Sequence, residues 1–311
     1  MRPGRGGGLA VLVLTGCLAL GGCAFVGEVA VTDHPARVGP PPAGAEVVAV
    51  PVPRGGPLAG WLADAPAGTP GVVLLHGVTD NREALRDRVR LFAGAGYAVL
   101  AVDLPAHGES PGRRVGYGWP ERHAAAAAVG FLKRRRPRTR VGVVGVSLGG
   151  AAAALAGPAL NADALVLESV YPTFRAAVGN RVRRVLGPLA PPVVAALVAQ
   201  TQGRIGVPAD SLRPVDAVRR VGAPVFVLGG ADDPYTPAAE TRALFDAAPE
   251  PKALWLVPGA VHEDLYEAAP EAYRHRVLDF LGRHLGRPAP WPTGGAGAFF
   301  APGSAPSAGL G

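Results

Sequence analysis

The sequence predicts an α/β protein in which a mostly parallel sheet is covered by helices on both faces. Short apolar runs rich in β-branched residues alternate along the chain with longer helical stretches, and this alternation is typical of such a sheet. The composition agrees, because 49% of the 311 residues are hydrophobic and 18% are charged. A chain of this length can bury one large core. We therefore expect one domain at residues 45–286 with a tail at each end.

The amino terminus has the features of a secretory signal peptide. Arg2 and Arg5 precede an apolar run at residues 9–20. This run is shorter than the roughly 20 apolar residues that a membrane-spanning helix needs. We therefore interpret residues 1–22 as a signal peptide and exclude them from the fold.

The end of this segment suggests a site of lipid attachment. Leu20-Gly21-Gly22-Cys23 resembles the lipobox of bacterial lipoproteins, in which the cysteine thiol carries the lipid. Cys17 fits the same pattern, but cleavage there would leave the apolar run too short. We expect lipidation of Cys23, a flexible tether at residues 23–44 and a location in the bacterial cell envelope, outside the cytoplasm. The alternative is a signal peptide whose cysteines carry no lipid.

Cysteine usage and charge exclude several kinds of site. Both cysteines lie in the signal region, so cleavage before Cys23 leaves the folded domain without a disulfide, a cysteine nucleophile or a thiolate metal site. The net charge is +7, and arginine clusters at residues 134–140 and 181–184 could contact nucleic acid or anionic lipid. No interleaved aromatic residues accompany them, so we interpret both as solvated helix ends and expect no nucleic-acid partner.

Eight strands are predicted, and helices follow most of them. Glycines at 55 and 56 separate the first two strands, which favours an antiparallel hairpin. The predicted strands are residues 46–52, 58–64, 71–75, 97–102, 141–146, 164–168, 224–229 and 253–257. The predicted helices are residues 82–94, 119–136, 148–157, 237–247 and 270–285.

One segment is too long to be an ordinary connection between two strands. Residues 171–221 follow the sixth strand and contain six prolines. We expect a small helical lid at this point, inserted over the active site. Residues 287–311 are rich in proline, glycine and alanine, and we expect a mostly disordered tail.

A candidate nucleophile lies between the fifth strand and the next helix. Gly145-Val146-Ser147-Leu148-Gly149 matches G-x-S-x-G in the strand, turn and helix context that this motif requires. A serine on so tight a turn has strained backbone angles, and side chains on the flanking glycines would collide with neighbouring elements. Ser147 is therefore the predicted nucleophile.

Candidate partners of Ser147 follow the last two predicted strands. Asp232 and Asp233 follow the seventh strand, where a carboxylate can hold a histidine in the correct tautomer, and the two compete for this role. His262 lies in the loop directly after the last strand and completes the chain order Ser, Asp, His, whereas the later histidines, His275 and His284, fall in the predicted terminal helix. Glu168, at the end of the sixth strand, is a further candidate acid, although we favour a role in anchoring the entrance to the lid.

Together these motifs resemble those of the α/β-hydrolase superfamily, in particular its monoacylglycerol-lipase-like and serine-aminopeptidase-like members. Residues 103–110 read DLPAHGES, similar to the family's D-x-x-G-H-G-x-S loop, with Ala106 in place of the usual glycine. Residues 230–237 match the signature G-x-x-D-x-x-x-P, in which the acid is Asp233. The resemblance covers residues 46–285, and it implies that the loop with Asp103 and His107 is structural.

The resemblance also implies where the oxyanion would bind. The family places one backbone N–H donor in the loop after the third strand, here His76-Gly77-Val78, and the second directly after the nucleophile. The donors are then the N–H groups of Val78 and Leu148, the latter at a helix N-terminus whose dipole favours negative charge. We expect His76 to shape its loop by side-chain hydrogen bonding rather than to act as a base.

The expected function is hydrolysis of a small-molecule carboxylic ester through Ser147, His262 and Asp233, without a metal or an organic cofactor. GVSLGG, which includes Gly150, also occurs in prolyl-oligopeptidase-like enzymes, so a serine peptidase is an alternative. An acyltransferase would use the same triad. A non-catalytic binding protein of the envelope is an alternative from another class. Acyl specificity and oligomeric state are left open by the sequence.

Overall fold

A computed structural model describes the predicted domain almost completely. The described residues are 32–53, 55–262 and 265–286. The predicted signal peptide at residues 1–22, Cys23, the first part of the predicted tether and the tail at 287–311 lie outside the described residues.

The predicted fold class is confirmed: the chain forms an eight-stranded, mostly parallel sheet. The strands are β1 His34–Pro35, β2 Ala45–Val50, β3 Leu58–Ala63, β4 Gly71–Leu75, β5 Ala98–Val102, β6 His107–Gly108, β7 Val141–Val146, β8 Ala164–Glu168, β9 Val225–Gly230 and β10 Lys252–Val257. The strand order in the sheet is β10-β9-β8-β7-β4-β5-β3-β2, and β1 and β6 form a separate two-stranded pair. β2 and β3 form the predicted antiparallel hairpin at one edge, β3 also runs antiparallel to β5, and the remaining neighbours in the sheet are parallel.

The helices lie close to their predicted positions. They are α1 Arg86–Gly94, α2 Glu121–Arg135, α3 Leu148–Ala156, α4 Phe174–Leu186, α5 Ala190–Ile205, α6 Pro214–Ala217, α7 Ala238–Ala247, α8 Leu265–Ala268 and α9 Pro270–Leu285. The predicted helix at 82–94 begins with a 3-10 turn at Arg82–Leu85, where the Asn81 side chain accepts a hydrogen bond from the Glu83 N–H.

Two hydrophobic cores cover the two faces of the sheet. Alternate residues of a strand point to opposite faces, so Val73 and Leu75 of β4 enter one core while Val72 and Leu74 enter the other. Helices α2, α3 and α7 contribute to the first core, and α1 and α9 contribute to the second. Both faces are covered, and the central strands are therefore apolar throughout.

Residues 171–221 form a helical insertion between β8 and β9. Helices α4 and α5 pack against each other and share a third small core that includes Phe174, Val194 and Val198. By length and composition alone, the helical segment Phe174–Ile205 could cross a membrane. A 3-10 turn beginning at Gly187, with φ of +51°, divides this segment into the two helices.

The predicted tether requires a correction in its second half. His34–Pro35 pairs as strand β1 with β6, and the N–H of Ala36 donates a hydrogen bond to Gly108 O at 2.9 Å. Farther along, Pro40 O accepts a hydrogen bond from Arg86 at 2.7 Å. Residues 34–40 therefore lie on the domain, because main-chain pairing fixes a segment whose composition alone indicated flexibility.

Candidate active site

Ser147 occupies a sharp turn between β7 and α3 at the carboxyl edge of the sheet. Its backbone angles are φ +46° and ψ −104°, a strained conformation for a residue with a side chain. A Cβ atom at Gly145 would lie 2.6 Å from Gly150 Cα, and one at Gly149 would lie 2.5 Å from Leu75 O. Glycine is therefore required on both sides of Ser147 so that the strand and the helix can approach.

His262 and Asp233 form a direct hydrogen bond. The distance from His262 Nδ1 to Asp233 Oδ2 is 2.7 Å, and the Asp233 side chain is fully buried. The other carboxylate oxygen accepts hydrogen bonds from the N–H groups of Tyr235 at 2.7 Å and Thr236 at 2.9 Å. Because a carboxylate only accepts, Nδ1 carries the proton and Nε2 presents its lone pair. Asp232, the competing candidate, is exposed.

Ser147 and His262 line the same cavity, which has a volume of about 600 Å³. Val78 from the loop after β4 also lines it. The turn at Ser147 is tied to that loop, since the N–H of Gly149 donates a hydrogen bond to His76 O at 3.0 Å. The cavity is lined by His76, Gly77, Val78, Thr79, Asp80, Ala84, Leu85, Arg88, Val146, Ser147, Arg181, His262 and Glu267.

The segments that carry the two expected oxyanion donors, Val78 and Leu148, both lie next to Ser147. Leu148 is the first residue of α3, and Val78 follows Gly77, whose added Cβ would lie 3.9 Å from Ser147 Cβ. The loop after β4 therefore approaches Ser147 closely. Backbone N–H groups in such an arrangement can donate to an oxygen that develops negative charge beside the serine.

His76 has a structural environment. Its ring is fully buried, with Nδ1 2.7 Å from Gly77 O and Nε2 2.9 Å from Leu104 N. A carbonyl accepts and an N–H donates, so Nδ1 carries the proton and Nε2 accepts. Burial, together with the nearby His107 ring, lowers the pKa of His76 to about 3, while the bond to Gly77 opposes this shift. His76 is therefore neutral at ordinary pH, with both ring nitrogens engaged.

Glu168 is engaged by residues other than His262. Its carboxylate accepts a hydrogen bond from Arg88 at 2.7 Å and another from the Tyr273 hydroxyl. All three side chains are buried. The expected contact with the entrance to the lid is thus replaced by an anchor between β8, α1 and α9, and Asp233 is the acid in contact with His262.

The loop after β5 is held by Asp103. Its carboxylate accepts hydrogen bonds from the backbone N–H groups of Arg82 at 2.7 Å and Glu109 at 2.8 Å, and it pairs with the Arg82 guanidinium. Ala106 has φ of +66°. This left-handed conformation explains why glycine is usual at this place in the family motif.

Two arginines that were not predicted as site residues line the cavity. Arg88 comes from α1 and Arg181 from the helical insertion. The Arg181 guanidinium lies 4.9 Å from the centre of the Tyr235 ring, which in turn makes an edge contact with the His262 ring at 5.5 Å. The interpretation of Arg181 as part of a solvated helix end is therefore wrong. Within the described ranges, no group of three or more His, Cys, Asp or Glu residues could hold a metal ion.

Comparisons with known proteins agree with this architecture. A monoacylglycerol lipase of Mycolicibacterium smegmatis is 28% identical over 268 residues, which cover 72% of this chain and 92% of that lipase. The uncharacterized protein YqkD of Bacillus subtilis is 29% identical over 226 residues, covering 70% and 73% of the two chains.

Among solved structures, an esterase of Pyrococcus furiosus superposes with a TM-score of 0.66 at 24% identity, covering 82% of this chain and 99% of the esterase. The model of the Alpha/beta hydrolase family matches residues 72–276, which contain Ser147, Asp233 and His262. With this match over more than half of its length, the chain belongs to the alpha/beta hydrolase family.

Proposed function

We propose that this chain is a serine hydrolase that cleaves carboxylic esters with Ser147 as nucleophile, His262 as general base and Asp233 as the orienting acid. The observation that carries the proposal is the 2.7 Å hydrogen bond between His262 Nδ1 and Asp233 Oδ2, with His262 and Ser147 lining one cavity. The bond directs the Nε2 lone pair away from Asp233, which is the state that a general base requires.

In the proposed reaction, His262 Nε2 accepts the Ser147 Oγ proton as Oγ bonds to the acyl carbon. The N–H groups of Val78 and Leu148 stabilise the oxyanion. The imidazolium then protonates the leaving alcohol as the ester bond breaks and an acyl-enzyme forms. In the second half-reaction water attacks the acyl carbon while His262 takes its proton, and the imidazolium returns that proton to Ser147 Oγ as the acyl–Oγ bond breaks and the acid leaves. Asp233 stabilises the imidazolium in both half-reactions.

We propose an ester with a lipidic acyl group as substrate. The lipase and esterase names of similar proteins support the choice of an ester over an amide. The cavity volume of about 600 Å³ is in the range of small-molecule sites. Fold alone does not select a substrate, so the preferred acyl chain length is determined by assay. The direct assay compares p-nitrophenyl esters of graded chain length with aminoacyl amides, and preference for the amides would identify a peptidase instead.

Labelling with a fluorophosphonate probe tests the nucleophile. We expect the wild-type chain to be labelled and Ser147→Ala to be unlabelled. Ser169→Ala is the matched control, because Ser169 is also buried, also has positive φ and follows the neighbouring strand. Its hydroxyl has no hydrogen-bond partner among the described residues, so the control should keep full labelling. Absence of label in the folded wild-type chain would exclude serine catalysis and favour a binding protein.

We also propose that Cys23 carries a lipid that anchors the enzyme at the outer side of a bacterial membrane. The support is the lipobox-like sequence at residues 20–23. Metabolic labelling with palmitate should mark the wild-type chain but not Cys23→Ala, with Cys17→Ala as the matched control that keeps the label. Undiminished label in Cys23→Ala would remove this residue as the sole site.

A further inference from the structure

The tip of the helical insertion exposes apolar side chains that the rest of the fold does not cover. We call residues 183–189, which are exposed without interruption, the insertion tip. Val185 and Leu189 are 81% and 72% exposed, and Leu186 is also exposed. Of the five large hydrophobic residues that are exposed in the described part of the chain, these are three. A cluster of this kind marks a surface of interaction.

The charged side chains of the two helices that carry the insertion tip have a single sign, and one carboxylate from outside them, that of Glu240 in α7, lies near Arg183. Residues 174–205, which form α4, the turn and α5, contain five arginines and no aspartate, glutamate or lysine. Arg183 and Arg184 directly precede the apolar side chains at the end of α4. Apolar residues bordered by arginine are suited to the surface of a bilayer. The apolar side chains can enter the boundary between head groups and acyl chains, and the lipid phosphates attract the arginines.

The insertion tip also adjoins the candidate active site. Arg181 lines the cavity that contains Ser147, and Val185 lies one helical turn farther along the same face of α4. Arg184 lies 5.3 Å from the ring centre of Tyr235, whose edge contacts the His262 ring. A surface that binds the insertion tip would therefore be next to the cavity.

We propose that the insertion tip docks on bilayers that contain anionic phospholipids. Val185, Leu186 and Leu189 enter the boundary between head groups and acyl chains, and Arg183 and Arg184 contact lipid phosphates. Docking places the cavity beside the bilayer, from which a lipidic ester can enter. This contact differs from the lipid anchor proposed at Cys23, since it uses the folded domain and orients it.

A fluorophore at the insertion tip reports whether this surface itself enters the bilayer, independently of any membrane binding by the amino terminus. The full chain carries Cys17→Ala and Cys23→Ala, and Leu186→Cys provides the only thiol for an environment-sensitive nitrobenzoxadiazole label. Val47→Cys in the same background is the matched control, because Val47 is 63% exposed on the edge strand β2, outside the insertion.

We expect the label at residue 186 to shift to the blue and brighten several-fold with vesicles of equal parts phosphatidylcholine and phosphatidylglycerol. It should not respond to vesicles of phosphatidylcholine alone, and the label at residue 47 should respond to neither. An unresponsive label at residue 186, or equal responses at both positions, would overturn the proposal. So would an equal response to the two kinds of vesicle, or a response to protein concentration alone, which would identify a contact between copies of the chain.

A double substitution gives an independent measurement. Val185→Asp with Leu189→Asp should lower the partition coefficient of the chain into the anionic vesicles about a hundredfold, because each of these two apolar side chains contributes about tenfold when it is buried. Both positions are exposed, so the variant should fold and keep its fluorophosphonate labelling in solution. Unchanged partitioning would contradict the proposal. Loss of labelling in the wild-type chain would contradict the proposed function and not the docking.

Discussion

Replacing Asp233 by asparagine tests the proposed triad most directly, because the structure determines how the new amide must lie. Oδ1 of Asp233 accepts two backbone N–H groups, from Tyr235 and Thr236. Asparagine has only one acceptor oxygen. That oxygen has to occupy the Oδ1 position, so the amide NH₂ group points at His262 Nδ1.

This geometry sets the size of the effect. An NH₂ group facing Nδ1 requires Nδ1 to accept, and the imidazole proton then moves to Nε2. His262 can no longer take the proton of Ser147. We expect kcat to fall about 10⁴-fold, as for the same tautomer error in a chymotrypsin-type protease. This corresponds to about 5 kcal/mol of transition-state stabilisation. The fold should be retained, because both backbone hydrogen bonds to the buried side chain are kept.

The assay is the rate of p-nitrophenyl ester hydrolysis, together with thermal unfolding to verify the fold. Asp232→Asn is the matched control, since it makes the same chemical change one residue away at an exposed position. We expect the control to have wild-type kcat. If Asp233→Asn kept a tenth or more of the wild-type rate, or if Asp232→Asn were the defective variant, the assignment of the acid would be wrong.

Three further variants test the packing around the site. Gly149→Ala should reduce activity at least about a hundredfold, because its Cβ has no space beside β4. Its control, Gly203→Ala in α5, adds a Cβ that meets nothing within 4 Å and should stabilise the chain by about 0.5–1 kcal/mol. Equal unfolding midpoints for the two variants would contradict this reasoning. His76 has a depressed pKa in the folded chain, so between pH 6.5 and about 3 the unfolded chain binds one more proton than the folded chain. The free energy of unfolding should therefore fall as the pH falls through this range, by about 1.4 kcal/mol per pH unit from this group. Measured by urea unfolding across this pH range, the free energy of unfolding should depend less steeply on pH in His76→Gln than in the wild-type chain. Equal slopes would show that His76 is not the group responsible. Tyr273→Phe removes a hydrogen bond to the buried Glu168 carboxylate and should cost about 1.5–3 kcal/mol of stability without changing KM, whereas a changed KM would indicate a role in binding.

Most strands could be predicted from the sequence to within two residues. Strands buried on both faces are continuous apolar runs bounded by turn residues, and this pattern is local. Strands β1 and β6 were not predicted, because two-residue strands have no periodicity and their pairing joins His34 to His107 across the chain. The packing of residues 34–40 on the domain was missed for the same reason.

The contacts around the cavity depended on long-range packing. Glu168 was a candidate acid on the basis of its position after β8, but its partners Arg88 and Tyr273 lie 80 and 105 residues away. Nothing in the local sequence of α1 or α9 indicates that these side chains meet below the cavity. The position of Arg181 could not be predicted either, because the local sequence of an arginine cluster at the end of a helix is the same whether the side chains face water or a cavity.

By itself, the sequence determined the fold class, the turn that presents Ser147 and the order of the candidate catalytic residues, because these depend on apolar periodicity and on residues close together in the chain. The family signature already favoured Asp233 over Asp232, and the structure agrees through the hydrogen bond to His262. Only the tertiary structure decided that Glu168 is held by Arg88 and Tyr273 and that the insertion tip is left exposed. The physical reason is that burial and hydrogen bonding depend on which distant segments meet, and a one-dimensional pattern does not contain those distances.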